Sequence, residues 1–245
     1  MRQLAHFFNL RDLEVRNDGE PFTPTEEFCR VKEREWKKLD KTTKRKRANL
    51  WNGVIYRLSK ITPQKEKSIL HLSTIDFKTH YATSQAVNFL KKIPFEKRPN
   101  GMYVGAYIKT SDGKLIFGSR SPKSVTRADI NFIGGNLNKD EMEITCTKDL
   151  FNFFIKEFEE ELGLNKKAIK TLSGLGIYIS DNCRIGVVMA CELGISEKTV
   201  MKNKKLNFEH QKLIFLTKKK FLNLLDDPRI NANIRGSYRH YLRFN

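Results

Sequence analysis

The clearest periodic pattern in the chain lies between residues 149 and 162, where apolar side chains recur every three or four positions. These positions are Leu150, Phe151, Phe154, Ile155, Phe158 and Leu162. Such spacing places them along one face of an α-helix, and Gly163 follows as a residue suited to a helix C-terminus. We therefore predict an amphipathic helix over 149–162 with one buried face.

Shorter apolar runs predict strands on both sides of this helix. Apolar runs at 102–110 and 114–121 flank Ser111-Asp112-Gly113, and an Asp-Gly pair in this setting is typical of a β-hairpin. Further strands are predicted at 50–61, 68–74, 174–180, 185–191 and 213–216, and further helices at 84–90, 218–225 and 237–244. The chain therefore combines many strands with a few helices.

A stretch rich in proline, glycine and charge, residues 94–101, is predicted to be a linker. It divides the chain into an N-terminal region, 1–99, and a domain, 100–245. The N-terminal region contains the most basic segment, residues 30–47. That segment is interpreted as a solvated helix or loop, with a nucleic-acid or nuclear-import patch as the alternative.

Composition narrows the possible partners and location. The 245 residues include 46 Lys and Arg against 28 Asp and Glu, a formal charge of +18, which favours nucleotides, nucleic acid or acidic membranes as partners. The four cysteines are widely spaced, so neither a zinc site nor a disulfide framework is indicated. The start resembles no secretory or transit segment, and no apolar run reaches the roughly 18 residues of a membrane span. We therefore expect a cytoplasmic protein with reduced thiols that does not span a membrane.

Three glutamates give the predicted helix its candidate chemistry. Glu157, Glu160 and Glu161 stand at i, i+3 and i+4, so their carboxylates project from one side of the helix. Like charges so placed repel unless a cation lies among them. Mg²⁺ or Mn²⁺ binds carboxylate and phosphate oxygens together, which would suit a pyrophosphate substrate. The alternative interpretation is a solvated acidic face.

The residues around this helix resemble the signature of the Nudix hydrolase family, G-x5-E-x7-R-E-U-x-E-E-x-G-U, where U is a bulky apolar residue. Gly135 and Glu141 match the first part of the signature. The second part is matched by Glu157, Phe158, Glu160, Glu161, Gly163 and Leu164. The resemblance covers about thirty residues in motif, and the pattern of strands extends it over 102–225.

Two positions depart from the signature. Lys156 stands where the family has arginine, and lysine supplies charge without the fork that orients a glutamate. Fourteen residues, 142–155, separate Glu141 from Lys156 where the family has seven. The role of Glu141 is therefore open, and Glu143 is an alternative.

The resemblance implies an α+β fold, an α/β/α sandwich around a mixed sheet, with a smaller N-terminal α/β region. It implies that water attacks a phosphorus atom at a site whose metal ligands are Glu157, Glu160 and Glu161, with Mg²⁺ as cofactor and Mn²⁺ as the alternative. Glu209, ahead of a late strand, is the candidate general base, with a plain surface carboxylate as the alternative. The candidate substrate-binding residues are Arg120, Gly134, Gly135 and Lys156.

The N-terminal region resembles the UDP-glucose-cleaving branch of the same family. Trp51-Asn52-Gly53 is similar to an "FNG" strand of that branch, and Asp76-Phe77-Lys78 with Thr83 is similar to its "DYK-x4-T" segment. This implies a nucleotide sugar that is split into a nucleoside monophosphate and a sugar 1-phosphate, with the N-terminal region assisting substrate binding. The alternatives are a cap hydrolase acting on RNA and a non-catalytic module that binds nucleotides or RNA. A homodimer is a further possibility from the family.

Overall fold

The computed structural model describes residues 13–46, 51–65, 67–120, 130–179, 184–205 and 210–244. The strands are β1 (Leu13–Arg16), β2 (Val54–Pro63), β3 (Ser68–Asp76), β4 (Met102–Lys109), β5 (Leu115–Arg120), β6 (Ile130–Asn131), β7 (Ile169–Ile179), β8 (Ile185–Leu193) and β9 (His210–Leu216). The helices are α1 (Glu26–Lys46), α2 (Phe77–Ser84), α3 (Val87–Leu90), α4 (Thr147–Leu162), α5 (Glu197–Asn203), α6 (Lys218–Leu224) and α7 (Ala232–Phe244). Short 3₁₀ turns occupy Phe95–Lys97 and Lys166–Ala168.

The larger sheet is mixed and has the order β6-β5-β4-β8-β7, with β9 paired to β5. Strand β4 runs parallel to β8, whereas the other pairings are antiparallel. The predicted hairpin is confirmed, but β4 and β5 pair only near their turn, at Ile108–Ile116 and Lys109–Leu115. Further along β4, the Val104 N–H donates instead to the Gly135 carbonyl at 2.9 Å. A segment with two glycines is thereby held against the central strand.

Helices cover both faces of this sheet. Along β4, side chains alternate between the two faces, as they must in a strand. One face packs under α4, and this half of the core includes Met102, Val104, Ala106, Ile108, Phe153, Phe154 and Phe158. The other face packs under α6 and α7, and this half includes Tyr103, Tyr107, Phe221, Ile234, Tyr238 and Tyr241. The α+β class and the α/β/α layering are therefore confirmed.

The N-terminal region forms a three-stranded sheet of order β1-β3-β2, in which β1 and β3 are parallel and β2 is antiparallel to β3. Its apolar side chains do not form a separate core. Tyr56, Leu58 and Leu72 belong to the same buried cluster as Phe154 of α4. The division of the chain near residue 100 stays a prediction, and the two regions share one continuous interior.

The segment predicted to be a linker is packed against β2. Arg57 is buried, and its Nη2 donates to the carbonyl oxygens of Glu96 at 2.6 Å and Arg98 at 3.1 Å. Asn100 has a positive φ of 42°, is fully buried and donates from Nδ2 to the Leu58 carbonyl at 3.2 Å. These contacts fix the path of the chain from the N-terminal region into β4.

Most predicted elements are present, one of them only in part. The helix predicted at 84–90 is confirmed in part, because α3 covers Val87–Leu90. The longer helix α2 precedes it and begins directly after Asp76, whose Oδ1 accepts the Thr79 N–H at 2.8 Å. The basic segment is largely helical, since α1 extends to Lys46. Strand β1 and helix α5 were not predicted. Within the described ranges no helix is both long and apolar enough to cross a membrane, and the three cysteines there are free thiols.

Candidate active site

Helix α4 presents two glutamates to a third from the preceding loop. Its apolar face, which includes the fully buried Phe154 and Phe158, fixes the rotation of the helix on the sheet. Glu157 and Glu160 then meet Glu141, with one carboxylate oxygen of each within 4.8 Å of the others. We call these three residues the acidic cluster. It brings Glu141 next to two glutamates of α4 despite the fourteen residues between Glu141 and Lys156.

The lengthened loop between Glu141 and α4 is held by side chains on either side. Glu141 Oε1 accepts a hydrogen bond from Asn138 Nδ2 at 2.7 Å. Ile144 is fully buried in the core, and its N–H donates to the Tyr56 hydroxyl at 3.0 Å. Glu143, the alternative to Glu141, is exposed and does not belong to the acidic cluster. The extra residues therefore form a loop that is fixed at both Glu141 and Ile144 before the chain enters α4.

Lys156 lies among the acidic residues. Its Nζ is 2.8 Å from Glu141 Oε2 and 2.9 Å from Glu160 Oε2. Burial by itself would lower the pKa of Lys156, but the hydrogen bonds to Glu141 and Glu160 outweigh it, and the pKa is raised. Lys156 therefore carries a positive charge that offsets repulsion in the acidic cluster. Contact between Lys156 and substrate stays a prediction.

Glu161 lies apart from the acidic cluster and is almost fully buried. Its Oε2 accepts the Gly134 N–H at 2.7 Å, and its Oε1 lies 3.1 Å from Nε2 of His210. The contact with His210 does not meet hydrogen-bond geometry, so Oε1 is a buried oxygen without a hydrogen-bond partner among the described residues. The three candidate metal ligands on α4 thus differ in environment, because Glu157 is half-buried, Glu160 is exposed and Glu161 is buried.

Two consecutive glycines make these contacts possible. Gly134 has a φ of 136°, and a Cβ there would lie 2.3 Å from the Val104 carbonyl oxygen. A Cβ on Gly135 would lie 2.6 Å from both Cδ and Oε1 of Glu157. Backbone of this kind can be approached closely by a carboxylate or a ligand only where no side chain intervenes. The glycines therefore bring the loop backbone directly against the α4 carboxylates.

A buried histidine that sequence reasoning did not find lies beside these groups. His210 is the first residue of β9 and pairs across the sheet with Arg120, the last residue of β5. Its ring lies directly against Gly118, where a Cβ would be 2.2 Å from the His210 ring. The only available signal was its position at the start of a late strand, next to Glu209. Glu209 itself lies outside the described residues, so its role as general base stays a prediction.

Arg120 approaches a second arginine that the sequence did not single out. Arg184 lies immediately before β8, and the positive charge of Arg120 contributes, after burial, to lowering the pKa of Arg184. Arg184 Nη2 donates to Asn136 Oδ1 at 3.4 Å, one residue beyond Gly135. Guanidinium groups suit phosphate because they present several donors in a plane. The candidate site therefore joins carboxylates on one side of the glycine loop to arginines on the other.

Comparison with known proteins gives limited similarity. No family model and no curated protein matches the chain. Among solved structures, the chain is similar to the MutT protein from Methanosarcina mazei Go1, with 20% identity over 59% of this chain and 94% of that chain and a TM-score of 0.43. A NUDIX hydrolase from Nitrosomonas europaea is 15% identical over 59% of this chain and 89% of that chain, with a TM-score of 0.43. An Ap4A hydrolase of C. elegans is 14% identical over 59% of this chain and 96% of that chain, with a TM-score of 0.40. These TM-scores are too low to assign a shared fold, so the function proposed below draws on the motif and the site.

Proposed function

We propose that the protein is a Nudix-type, divalent-metal-dependent hydrolase of phosphoanhydride bonds in compounds built on a nucleoside diphosphate. The observation that carries this proposal is the convergence of Glu141, Glu157 and Glu160 beside the glycine loop. All three residues match the family signature. The sequence spacing between Glu141 and α4 is irregular and does not predict that the three carboxylates lie close together. Their proximity in the structure therefore supports the resemblance separately from the motif.

The donor set fits a hard divalent cation. Carboxylate oxygens are the protein ligands that Mg²⁺ and Mn²⁺ prefer, and the acidic cluster supplies three of them within 4.8 Å. Glu161 contributes a buried oxygen that has no hydrogen-bond partner among the described residues. Glu141, Glu157 and Glu160 are the residues that would hold the metal, and a ligand role for Glu161 stays a prediction because it lies apart from the acidic cluster. When bound, Mg²⁺ would offset negative charge on the phosphates and lower the pKa of a bound water.

The remaining groups are assigned by what they can donate or accept. Gly134 holds Glu161 through its N–H, and Gly135 keeps Glu157 in place by leaving room for it. Lys156 restrains Glu141 and Glu160 through two ion pairs. Arg120 is suited to a phosphate oxygen of the substrate. Glu209 remains the candidate base that removes a proton from the attacking water.

A nucleotide sugar such as UDP-glucose is the substrate that we propose. Support comes from the N-terminal segments that resemble the UDP-glucose-cleaving branch, because they contact each other. Asn52 Oδ1 accepts the Lys78 N–H at 2.7 Å, and the Phe77 N–H donates to the Gly53 carbonyl at 2.9 Å. The Trp51 and Phe77 rings lie 5.3 Å apart, and Trp51 is exposed. Segments that are separate in sequence thus form one aromatic surface on the N-terminal region.

The experiment offers UDP-glucose, ADP-ribose, dinucleoside polyphosphates and capped RNA to the full chain with Mg²⁺ and identifies the nucleoside mono-, di- or triphosphate that each releases. Glu157→Gln and Glu160→Gln are expected to lose about 100-fold or more in kcat/KM, because each removes a charged ligand. Glu159→Gln is the matched control. Glu159 lies on the same helix but outside the acidic cluster, where Oε1 accepts the Lys166 N–H.

Three outcomes would count against the proposal. Turnover of none of these compounds, or turnover that persists in excess EDTA, contradicts a metal-dependent hydrolase. Equal loss in Glu159→Gln and Glu160→Gln would remove the assignment of the acidic cluster. Capped RNA as the only good substrate would replace the nucleotide sugar, and the formal charge of +18 makes that comparison necessary. A cytoplasmic location and a homodimer stay predictions.

A further inference from the structure

Four polar side chains from distant parts of the chain meet next to the glycine loop. They are His80 of α2, Tyr103 of β4, Asn136 and Arg184, which we call the His80–Arg184 cluster. The Arg184 guanidinium lies over the Tyr103 ring, 5.5 Å from its centroid, and donates to Asn136 Oδ1. The cluster therefore joins the N-terminal region to the sheet that carries the catalytic candidates.

The hydrogen bond made by His80 determines which of its ring nitrogens carries the proton. His80 is buried, and its Nδ1 accepts the Gly101 N–H at 3.2 Å. Burial, together with the charge of Arg184, lowers the pKa of His80 to about 3, so the ring is neutral near pH 7. A neutral ring whose Nδ1 accepts must carry its hydrogen on Nε2. Nε2 is thus a buried donor, and no acceptor for it exists among the described residues.

The Tyr103 hydroxyl is a second buried donor in the same place. Tyr103 is only 7% exposed, and its hydroxyl has no hydrogen-bond partner among the described residues. A buried donor that is left without an acceptor costs about 1–3 kcal/mol, so native proteins rarely retain one without a use. Two such donors next to a guanidinium indicate a ligand that accepts hydrogen bonds.

Charge in this region favours an anion over a neutral acceptor. Arg120 is close enough to Arg184 for the two positive charges to act on each other. A group with several negatively charged oxygens would offset this repulsion and accept from both arginines, as phosphate does. Asn136 directly follows Gly135, which packs on Glu157, so a single residue separates this region from the acidic cluster.

We propose that His80, Tyr103 and Arg184 bind one phosphate of the substrate, the phosphate farther from the acidic cluster. The assignment of the nearer phosphate to the acidic cluster rests on the proposed function. Under this assignment the N-terminal region contributes a ligand-binding residue, His80, to the same site. The ligand chemistry is a diphosphate, which inorganic pyrophosphate and UDP share with a nucleotide sugar.

The sharpest test removes a single oxygen atom. Tyr103→Phe is compared with Tyr238→Phe, because the Tyr238 hydroxyl is likewise buried without a hydrogen-bond partner among the described residues. The Tyr238 ring packs on Phe221, with 4.8 Å between centroids, whereas the Tyr103 ring lies under the Arg184 guanidinium. Neither change should lower the melting temperature. Binding of inorganic pyrophosphate and of UDP is measured calorimetrically in EDTA. Tyr103→Phe is expected to weaken both about tenfold, and Tyr238→Phe should leave them unchanged.

Arg184 is tested by a graded pair of variants. Arg184→Gln is expected to weaken pyrophosphate binding in EDTA about 100-fold and to raise KM for the nucleotide sugar. The substitution removes both the positive charge and the paired N–H donors of the guanidinium group. Arg184→Lys, which keeps only the charge, should fall between wild type and Arg184→Gln. Melting temperatures of both variants show whether a loss reflects unfolding.

The outcomes separate this inference from the proposed function. Glu160→Gln should abolish turnover yet keep wild-type pyrophosphate binding in EDTA. If turnover depends on Glu160 but Tyr103→Phe and Tyr238→Phe have equal Kd and KM, the phosphate assignment is overturned and the hydrolase stands. If pyrophosphate binding depends on Arg184 and Tyr103 but no substrate is turned over, the assignment stands without the hydrolase. Absence of pyrophosphate binding to the wild-type chain in EDTA also overturns it.

Discussion

Gly135 and Glu157 occupy positions that depend on each other. The Glu157 carboxylate lies in the space that a Cβ on Gly135 would fill. Because a carboxylate is the far end of a flexible side chain, it could move aside if that space were taken. Stability would then change little, whereas the position of a candidate metal ligand would change a great deal.

We expect Gly135→Ala to reduce kcat/KM about 100-fold, since displacement of a ligand by about 1 Å is enough for such a loss. The free energy of unfolding should fall by less than about 1 kcal/mol, because the side chain can rotate away. Steady-state kinetics and thermal unfolding measure the two quantities. Gly194→Ala is the control, since a Cβ there meets only the Ala168 carbonyl, at 3.9 Å. Full activity in Gly135→Ala would contradict the placement of Glu157 as a ligand.

At the residue scale, sequence reasoning found the glutamates but not their different environments. Helical spacing correctly places Glu157, Glu160 and Glu161 near one another, because each residue turns by a fixed angle. It cannot show that Glu161 is buried, since that burial depends on Gly134 and His210, which lie far away in the chain. Local periodicity contains no information about such partners.

Helix α4 is the element on which the acidic cluster depends. Its first turn is set by Asp149, whose carboxylate accepts the N–H groups of Thr145 and Cys146 at 2.8 and 2.9 Å. Its last turn ends at Gly163, which adopts the left-handed conformation with φ of 64°. Between these ends the aromatic residues of the buried face lock the helix onto the sheet. The direction of Glu157 and Glu160 follows from that packing.

Phe154→Ala is expected to lower the free energy of unfolding by about 3–5 kcal/mol, because it leaves a cavity in a fully buried position. For a chain of this length the melting temperature should fall by roughly 10 °C. Phe151→Ala, at a partly buried position of the same helix, should cost less than half as much. Chemical denaturation measures both. Equal losses in the two variants would contradict the conclusion that packing around Phe154 contributes more to stability than packing around Phe151.

At the element scale, the strength of the local signal explains what was predicted and what was missed. The pattern over 149–162 has several aromatic residues in register, and α4 is confirmed within two residues. The pattern over 84–90 is weak and located only α3, whereas the start of α2 depends on the side chain of Asp76. Strand β1 could not be found, because four residues form a strand only through pairing with β3.

At the scale of the whole molecule, the N-terminal sheet and the larger sheet fill one buried cluster beneath α4. Tyr56, Leu58, Leu70 and Leu72 of the N-terminal sheet pack in the same cluster as the residues beneath α4. Each of these four side chains is fully buried. Burial of an aliphatic or aromatic side chain is worth about 1.5–3 kcal/mol, so exposing all four would cost about as much as the whole stability of a typical domain.

The chain from residue 100 to 245 is therefore expected not to fold alone. Produced without the N-terminal region, it should lack near-ultraviolet circular dichroism and a cooperative thermal transition, although it contains every candidate metal ligand. Mixing it with residues 1–99 is the control, and the two fragments should regain a cooperative transition. A fragment that melts near the temperature of the full chain would show that the shared interior is not needed.

The packing of the N-terminal region against the larger sheet was the feature that the sequence predicted least well. The proline- and glycine-containing stretch 94–101 predicted a boundary, but composition cannot reveal that Arg57 of β2 is hydrogen bonded to two of its carbonyl groups. Shared burial between distant strands also leaves no local pattern. The layering of helices on a mixed sheet was predicted through the resemblance in motif, and not from the individual elements.

The contact between the Tyr56 hydroxyl and the Ile144 N–H has an evolutionary consequence. A shorter insertion could not bring a backbone group to this hydroxyl, which would then be buried with no acceptor or donor to satisfy it. Loss of the insertion and loss of the tyrosine should therefore occur together in descent. Among homologues, the length of the loop before α4 and the residue at position 56 are expected to covary. A tyrosine in strand β2 would then indicate a long loop some ninety residues later in the chain.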